Sequence, residues 1–249
     1  DCHCHLTDEA FDDDRLFILN DLSNFGLMAI INPATNIADS KMAIELAEKY
    51  DNFYAMAGIH PEEVDDITDK DLEELESLAT NEKVIAIGEI GLDYYWKDDN
   101  KKKQKEIFIH QLELARKLEK PAVIHVRDSK DDVIEILKNY QDLKIQIHCF
   151  SDDLETLEKY MQMGFFISIG GVVTFDNGTN EQNAARNVPI ERLMLETDSP
   201  YLTPDPYRGL RNDPRRVVEV ARKVADLRDM KMDKLAKRTY NNTKEFFNL

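Results

Sequence analysis

The stretch PAVIHVRDSKDDVIEILKNYQDLKIQIHCFSDDLETLEKYMQMGFFISIGGVVTF, residues 121–175, contains three apolar segments separated by two segments with helical spacing. The first two apolar segments carry His125 and His148 at their ends. Apolar residues occupy both even and odd positions of these segments, which is typical of strands covered on both faces. Strands of this kind that alternate with helices predict a parallel sheet.

The same alternation continues in both directions and gives eight strand candidates. The other five are DCHCHL (1–6), GLMAIINPA (26–34), NFYAMAGIHP (52–61), KVIAIGEIGLDYY (83–95) and ERLMLETDSPYLTP (191–204). Eight β–α units in 249 residues predict a (β/α)8 TIM barrel in one domain, residues 1–249. A doubly wound sheet is the alternative, although no GxGxxG or GxxxxGK[ST] loop is present to support a nucleotide-binding version of it.

Composition and charge exclude several classes of protein. The net charge of −17 argues against a protein that binds long nucleic-acid duplexes through a basic surface. No run of about eighteen apolar residues predicts a membrane span, and no signal peptide is visible. Three cysteines form a poor disulfide framework, so we expect a cytoplasmic protein. Nothing in the sequence indicates an obligate protein partner.

Imidazole and carboxyl groups recur where the predicted strands end. These residues are His3, His5, His60, Glu89, His125, His148, Glu196 and Asp198. A single histidine at a strand end usually has a structural role. Burial of so many polar groups in separate apolar strands is costly unless they are paired or coordinated. Because barrel enzymes build their sites at the carboxyl ends of the strands, we predict that this set converges on metal ions.

The three cysteines are predicted to lie away from that site. In regular strands, Cys2 and Cys4 face opposite to His3 and His5, as Cys149 does to His148. We therefore expect all three thiols in the helical layer, where cysteine behaves as a small apolar residue. A zinc–cysteine site would need a CxxC-type spacing, which the sequence lacks.

Several ordered stretches resemble the TatD family of metal-dependent hydrolases, within the amidohydrolase-like barrels. The matching stretches are DCHCHL, GIHPEE, IGEIGLDYYW, PAVIHVRDS, IHCFS, ISIGG and LETDSPYLTPDPYRGLRNDP, which run from residue 1 to about residue 214. The resemblance implies a TIM-barrel enzyme with a binuclear metal centre. It also implies deoxyribonuclease activity, which several members of the family have.

The resemblance also implies roles for individual residues. The implied metal ligands are His3, His5, Glu89, His125, His148 and Asp198. Glu89 matches the carboxylate that bridges two ions, and Asp198 matches a ligand that also accepts a proton. The ions are zinc, manganese or magnesium, and four histidines favour the first two.

The chemistry of such a centre predicts phosphodiester hydrolysis. A hydroxide bridging two divalent ions would attack phosphorus, and Asp198 would take its proton. Arg127 and Arg208 are candidate phosphate contacts, with a surface or loop-fixing salt bridge as the alternative for each. His60 is a further candidate substrate contact, by donation to the leaving oxygen or to a phosphate, or else it supports the ligands. Glu196 is expected to point inwards and support the ligands.

Three functions remain open from the sequence. The first is a deoxyribonuclease that removes nucleotides from the 3′ end of single-stranded DNA. The second is a hydrolase of carbonyl esters or amides, such as a D-aminoacyl-tRNA deacylase. The third is a metal-binding barrel without enzymatic activity. Tyr94, Tyr95 and Trp96 are expected to line the site, to stack on a base, or else to pack in the core.

Overall fold

The computed structural model describes all 249 residues, and seven strands form one parallel sheet in chain order. The strands are β1 (Ile30–Asn32), β2 (Phe53–Ala57), β3 (Val84–Asp93), β4 (Ala122–Arg127), β5 (Ile145–Ile147), β6 (Phe166–Ile169) and β7 (Leu193–Leu195). Each strand pairs with the next one along the chain. All carboxyl ends therefore lie at the same edge, as a (β/α) barrel requires.

Nine α-helices connect the strands and follow the last one. They are α1 (Arg15–Asp21), α2 (Ile37–Lys49), α3 (Asp69–Ala79), α4 (Lys101–Lys117), α5 (Lys130–Leu137), α6 (Leu154–Gln162), α7 (Thr179–Asn187), α8 (Val217–Leu227) and α9 (Met232–Phe247). Side-chain hydrogen bonds cap the amino-terminal ends of several helices. At α3, the Asp71 carboxylate accepts a hydrogen bond from the Thr68 backbone N–H at 2.8 Å, and at α6 the Asp153 carboxylate accepts one from the Thr156 backbone N–H at 2.8 Å. Every helix is too short or too polar to span a lipid bilayer.

The first predicted strand, DCHCHL, is not a regular strand, so the expectation of eight regular strands was wrong by one. Its backbone nevertheless joins the two edges of the sheet. Cys4 N donates to Ile31 O, and Ile31 N to Asp1 O, both at 3.1 Å, while Cys2 N donates to Leu195 O at 3.1 Å. The segment thus lies between β1 and β7 and occupies the eighth position. The barrel class itself is confirmed.

The barrel interior is apolar in its lower half. The buried cluster there comprises Cys2, Ile31, Met56, Ala86, Val123, Phe166, Met194, Phe246 and Phe247. The end of α9 supplies the last two rings, which pack edge to face with centroids 4.7 Å apart. A separate and larger apolar core fills the space between the strands and the helices. The candidate ligand histidines and carboxylates lie outside this apolar cluster, at the carboxyl ends of the strands.

The prediction for Cys2 was wrong, whereas Cys4 lies as expected. Cys2 packs inside the barrel, with Sγ 3.6 Å from Gln146 Nε2. Cys4 belongs to the outer apolar core and accepts a hydrogen bond from Ser199 Oγ at 3.0 Å. Strict alternation of faces holds only in a regular strand. Because the segment before β1 is irregular, Cys2 and His3 both reach the interior.

Candidate metal centre

Glu89 lies at the centre of the polar cluster. Its side chain is 3% exposed. Oε1 lies 2.8 Å from His125 Nδ1 and 2.7 Å from His148 Nε2. Oε2 lies 3.2 Å from His3 Nε2 and 3.4 Å from His5 Nε2. One buried carboxylate therefore faces four imidazoles that come from three different parts of the barrel.

Asp198 and His60 complete the cluster from opposite sides. Asp198 Oδ1 lies 3.4 Å from His5 Nε2 and 3.7 Å from His3 Nε2. His60 Nε2 lies 3.5 Å from Glu89 Oε1, and its ring meets that of His125 edge to face with centroids 4.5 Å apart. The structure thus brings together all six residues predicted as ligands, and it places His60 among them.

Three groups in the cluster have the composition of a metal site. They are His3 with Glu89 and His148, His3 with His5 and Asp198, and His60 with Glu89 and His125. Within each group the ligand atoms lie within 4.8 Å of one another. His3 and Glu89 each belong to two groups, so the groups overlap. These overlapping nitrogen and oxygen ligand sets are candidate sites for divalent cations.

The His3 ring shows that the side chains fit a cation. Its Nε2 lies 3.3 Å from His5 Nε2, while its buried Nδ1 has no hydrogen-bond partner. The ring also stacks on His148, with centroids 4.0 Å apart. Closely packed imidazole nitrogens beside two carboxylates are the ligands that zinc and manganese accept. The residues present therefore fit divalent metal ions.

Burial and neighbouring charges shift the pKa values of the clustered side chains in opposite directions. Burial alone would raise the pKa of Glu89, but His148, His60 and His3 hold that pKa well below its usual value. Burial would lower the pKa of His148, but Glu89 and Glu196 raise it well above its usual value. The cluster therefore holds an ionised carboxylate that demands positive charge nearby. A divalent cation held by these residues would supply that charge, and its binding would be coupled to release of an imidazole proton.

Glu196 supports His148 from inside the barrel. The carboxylate is fully buried, and its Oε1 lies 3.4 Å from His148 Nδ1. Ser168 Oγ donates to Oε2 at 2.6 Å. A carboxylate on the far nitrogen of a ligand histidine fixes the orientation of the ring and increases its basicity.

Asp93 supports the His125 ring in the way that Glu196 supports His148. Asp93 was not among the site residues predicted from the sequence. Its Oδ2 lies 2.9 Å from His125 Nε2, the nitrogen on the far side of the ring from Glu89. Asp93 ends β3 and has the same parity as Glu89, four residues earlier. An acidic residue at an inward-facing position of the same strand end was the signal available in the sequence.

A family model described as TatD related DNase matches residues 1–248. The chain belongs to the TatD family. A Bacillus subtilis protein, named as the uncharacterized metal-dependent hydrolase YabD, is 38% identical to it over 251 residues, covering 100% of this chain and 98% of that protein. Membership in this family, together with the ligand cluster, makes the chain a metal-dependent hydrolase.

Solved structures of TatD homologues and more distant barrels share this fold. The crystal structure of YjjV, a TatD homologue from Escherichia coli, superposes with a TM-score of 0.94 at 31% identity, over 100% of this chain and 97% of that one. A mutant of a PTE-like lactonase from Deinococcus radiodurans has a TM-score of 0.70 at 13% identity, over 99% of this chain and 94% of that chain. The second likeness concerns the barrel alone.

Most of the candidate ligands of this TatD-family chain line a cavity of about 1220 Å³. The cavity is lined by His5, His60, Glu89, His125, His148 and Asp198 together with residues from the surrounding loops. Arg127 is the only lysine or arginine in the lining. Arg208 lies outside it, with its guanidinium 3.5 Å from the centre of the Phe175 ring. Of the two predicted phosphate contacts, the structure places one at the cavity.

Cys149 also lines the cavity, so the prediction that its thiol faces the helical layer was wrong. Cys149 follows the end of β5 and has a φ of 43°. This left-handed backbone conformation ends the alternation of faces that applies within a strand. Asp198, which follows β7, has a φ of 55° and likewise turns its side chain into the cavity.

Proposed function

We propose that this protein is a deoxyribonuclease that hydrolyses phosphodiester bonds at the 3′ end of single-stranded DNA with two divalent metal ions. The observation that carries the proposal is the set of overlapping ligand groups around Glu89 at the floor of an open cavity. The zinc, manganese or magnesium ions would be held by His3, His5, Glu89, His125, His148 and Asp198.

The side chains of the proposed centre have different roles in the reaction. Two bound ions supply an acidified water and neutralise phosphate charge. Glu89, buried between the histidines, holds the centre together. Asp198 is 14% exposed against 3% for Glu89, and it lines the cavity. Its carboxylate therefore lies where a proton from an attacking water can be accepted, which supports the role of general base.

The surroundings of the centre favour a short, flexible substrate. Arg127 offers a guanidinium that can pair with a phosphate from the cavity wall. Acidic residues on the rest of the wall, and the net charge of −17, oppose a long duplex with many phosphates. A single-stranded end brings few phosphates into the cavity at once. The three free cysteines support the expected cytoplasmic location.

The test compares nucleic acid and carbonyl substrates in one panel. Chelator-treated protein is reloaded with manganese or zinc and incubated with a 5′-labelled single-stranded oligonucleotide, its duplex, and D-aminoacyl-tRNA. We expect a ladder of products that shorten from the 3′ end of the single strand, dependent on added metal. Faster release of the amino acid than of nucleotides would favour the carbonyl hydrolase. A fully metal-loaded protein that leaves every substrate intact would contradict both activities.

A further inference from the structure

Tyr95, Trp96 and Arg127 form an exposed surface at the ends of β3 and β4, which we call the aromatic shelf. The two rings meet edge to face with centroids 4.8 Å apart. The Arg127 guanidinium lies 4.0 Å from the centre of the Tyr95 ring and 5.3 Å from that of Trp96. Trp96 lines the cavity and is 60% exposed, whereas Tyr95 is not part of the lining. Tyr95 therefore holds the arginine, and the indole of Trp96 faces the cavity.

The guanidinium of Arg127 has no acceptor in the protein. Several other arginines near carboxylates are paired with them: Arg211 with Asp14, Arg215 with Asp213, and Arg116 with Asp142. Arg127 instead rests on the rings of the shelf, with its donors free. An arginine held against an aromatic face keeps its planar donors available for a phosphate.

Asp93 links the shelf to the metal centre. One carboxylate oxygen lies 2.9 Å from His125 Nε2. The other accepts from the backbone N–H groups of Tyr95 at 2.9 Å and of Trp96 at 3.1 Å. Asp93 also pairs in register with Arg127 across β3 and β4. The position of the shelf relative to a metal ligand is thus fixed by a fully buried side chain.

The rest of the cavity wall lacks positive charge. It carries the acidic residues Asp8, Glu9, Asp39, Glu62, Glu63 and Glu181. A nucleotide strand entering the cavity would be repelled by these carboxylates, and the shelf is the part of the wall that combines a free cation with an exposed ring. The charge distribution therefore directs the strand along the shelf.

We propose that Trp96 stacks on a nucleobase flanking the scissile phosphodiester while Arg127 contacts the adjoining phosphate. This inference rests on the proposed function and adds how the substrate is selected. Stacking on an indole accepts any base, since every base has a π face. A base inside a duplex has both faces covered, so the shelf selects single-stranded ends without reading sequence.

The test measures binding separately from cleavage. Metal-loaded protein is titrated with a single-stranded oligonucleotide whose terminal linkages are phosphorothioates and whose 3′-terminal or penultimate base is 2-aminopurine. A second oligonucleotide carries abasic tetrahydrofuran residues at those two positions. We expect fluorescence quenching on binding at one of the two positions. We also expect Trp96→Ala to weaken binding of the base-containing strand about tenfold, and to leave binding of the abasic strand unchanged.

Matched variants separate stacking from structural damage. Trp96→Phe should retain most of the affinity, because a ring remains. Phe17→Ala removes a side chain that is also 60% exposed, on α1 and outside the cavity lining, and should change nothing. A structural effect of Trp96→Ala would weaken binding of both oligonucleotides equally, and this result would overturn the inference. Equal affinity of the wild type for the two strands would overturn it as well.

The outcomes for the shelf and for the proposed function are distinct. If unmodified oligonucleotides are cut but Trp96→Ala behaves as Phe17→Ala in the binding assay, the shelf inference fails and the nuclease assignment stands. If strands bind with quenching that depends on Trp96 but unmodified strands are never cut, the nuclease assignment fails and the shelf stands.

Discussion

The Glu89 carboxylate is buried among imidazoles, and its two oxygens face different histidines. Oε1 lies nearest His125 and His148, and Oε2 nearest His3 and His5. In the proposed two-metal function, Glu89 would therefore hold divalent cations together with both sets of histidines. At the residue scale, metal binding therefore depends on ligand rings held in fixed orientations. Glu196 provides this for His148, and Asp93 provides it for His125.

Glu196→Gln tests this support. The substitution keeps the shape of the side chain but removes the charge facing His148, so metal affinity should fall about 10- to 100-fold. Competition with a chelating dye measures the affinity. Glu181→Gln is the control, because Glu181 lines the cavity without an ion pair to a ligand histidine. Equal affinities of the two variants would show that Glu196 does not act through His148.

Asp198→Asn tests the assignment of the general base. Loss of the proton acceptor should reduce turnover about 100-fold or more, with metal content measured separately by elemental analysis. Asp8→Asn, at another carboxylate of the cavity, should keep its activity. Full turnover with full metal content in Asp198→Asn would rule out the proposed role.

At the element scale, the approach of β3 to β4 sets the position of His125. Gly91 pairs with His125 in register and has a φ of 145°. A Cβ at this position would lie 2.0 Å from the carbonyl oxygen of His125. Only glycine permits both the backbone conformation and the contact. The glycine in IGEIGLD thus lets the two strands bring Glu89 and His125 together.

Gly91→Ala should therefore destabilise the fold by about 3 kcal/mol or more and reduce metal binding. Chemical denaturation and metal analysis check the two effects. The control is Gly164→Ala, where φ is also positive at 79° but an added Cβ meets nothing within 4 Å. This substitution should lower the free energy of unfolding by about 1–2 kcal/mol and leave metal binding intact. Similar denaturation midpoints for the two variants would contradict the steric argument.

The elements also show how far the sequence predicts the site. Apolar strands with polar ends identify Glu89, His125 and His148, because the carboxyl ends of parallel strands meet at one edge of the sheet. This holds for Glu89 although the register between β3 and β4 shifts around it, between Ile87 and Ile90. Alternation of faces is a second rule, and it needs a regular strand. The same rule fails for Cys2, in an irregular segment, and for Cys149, where φ becomes positive. The pairing of Asp93 with His125 depends on the register between two strands, which periodicity does not determine.

At the scale of the whole molecule, the negative charge limits how nucleic acid can bind. The chain carries a net charge of −17, and one arginine lies in the cavity lining. Positive charge for phosphates would thus come from the metal ions and from Arg127. Affinity should depend on a few local contacts rather than on a surface field.

A shallow salt dependence follows from this arrangement. With one or two phosphates neutralised, the slope of log affinity against log salt concentration should be about −0.7 to −1.4 for a single strand. Titration of a phosphorothioate oligonucleotide at several concentrations of monovalent salt measures the slope. A slope of about −4 or steeper would indicate an extended basic track, which this charge distribution does not provide.

The most direct test of the metal centre is anomalous diffraction from crystals grown with manganese or zinc. We predict two anomalous peaks about 3.5–4 Å apart, with Glu89 between them and His3, His5, His125, His148 and Asp198 as the other ligands. Histidine nitrogens should lie about 2.0–2.2 Å from the ions. Peaks remote from these side chains, or a single peak that Glu89 does not contact, would contradict a two-metal centre.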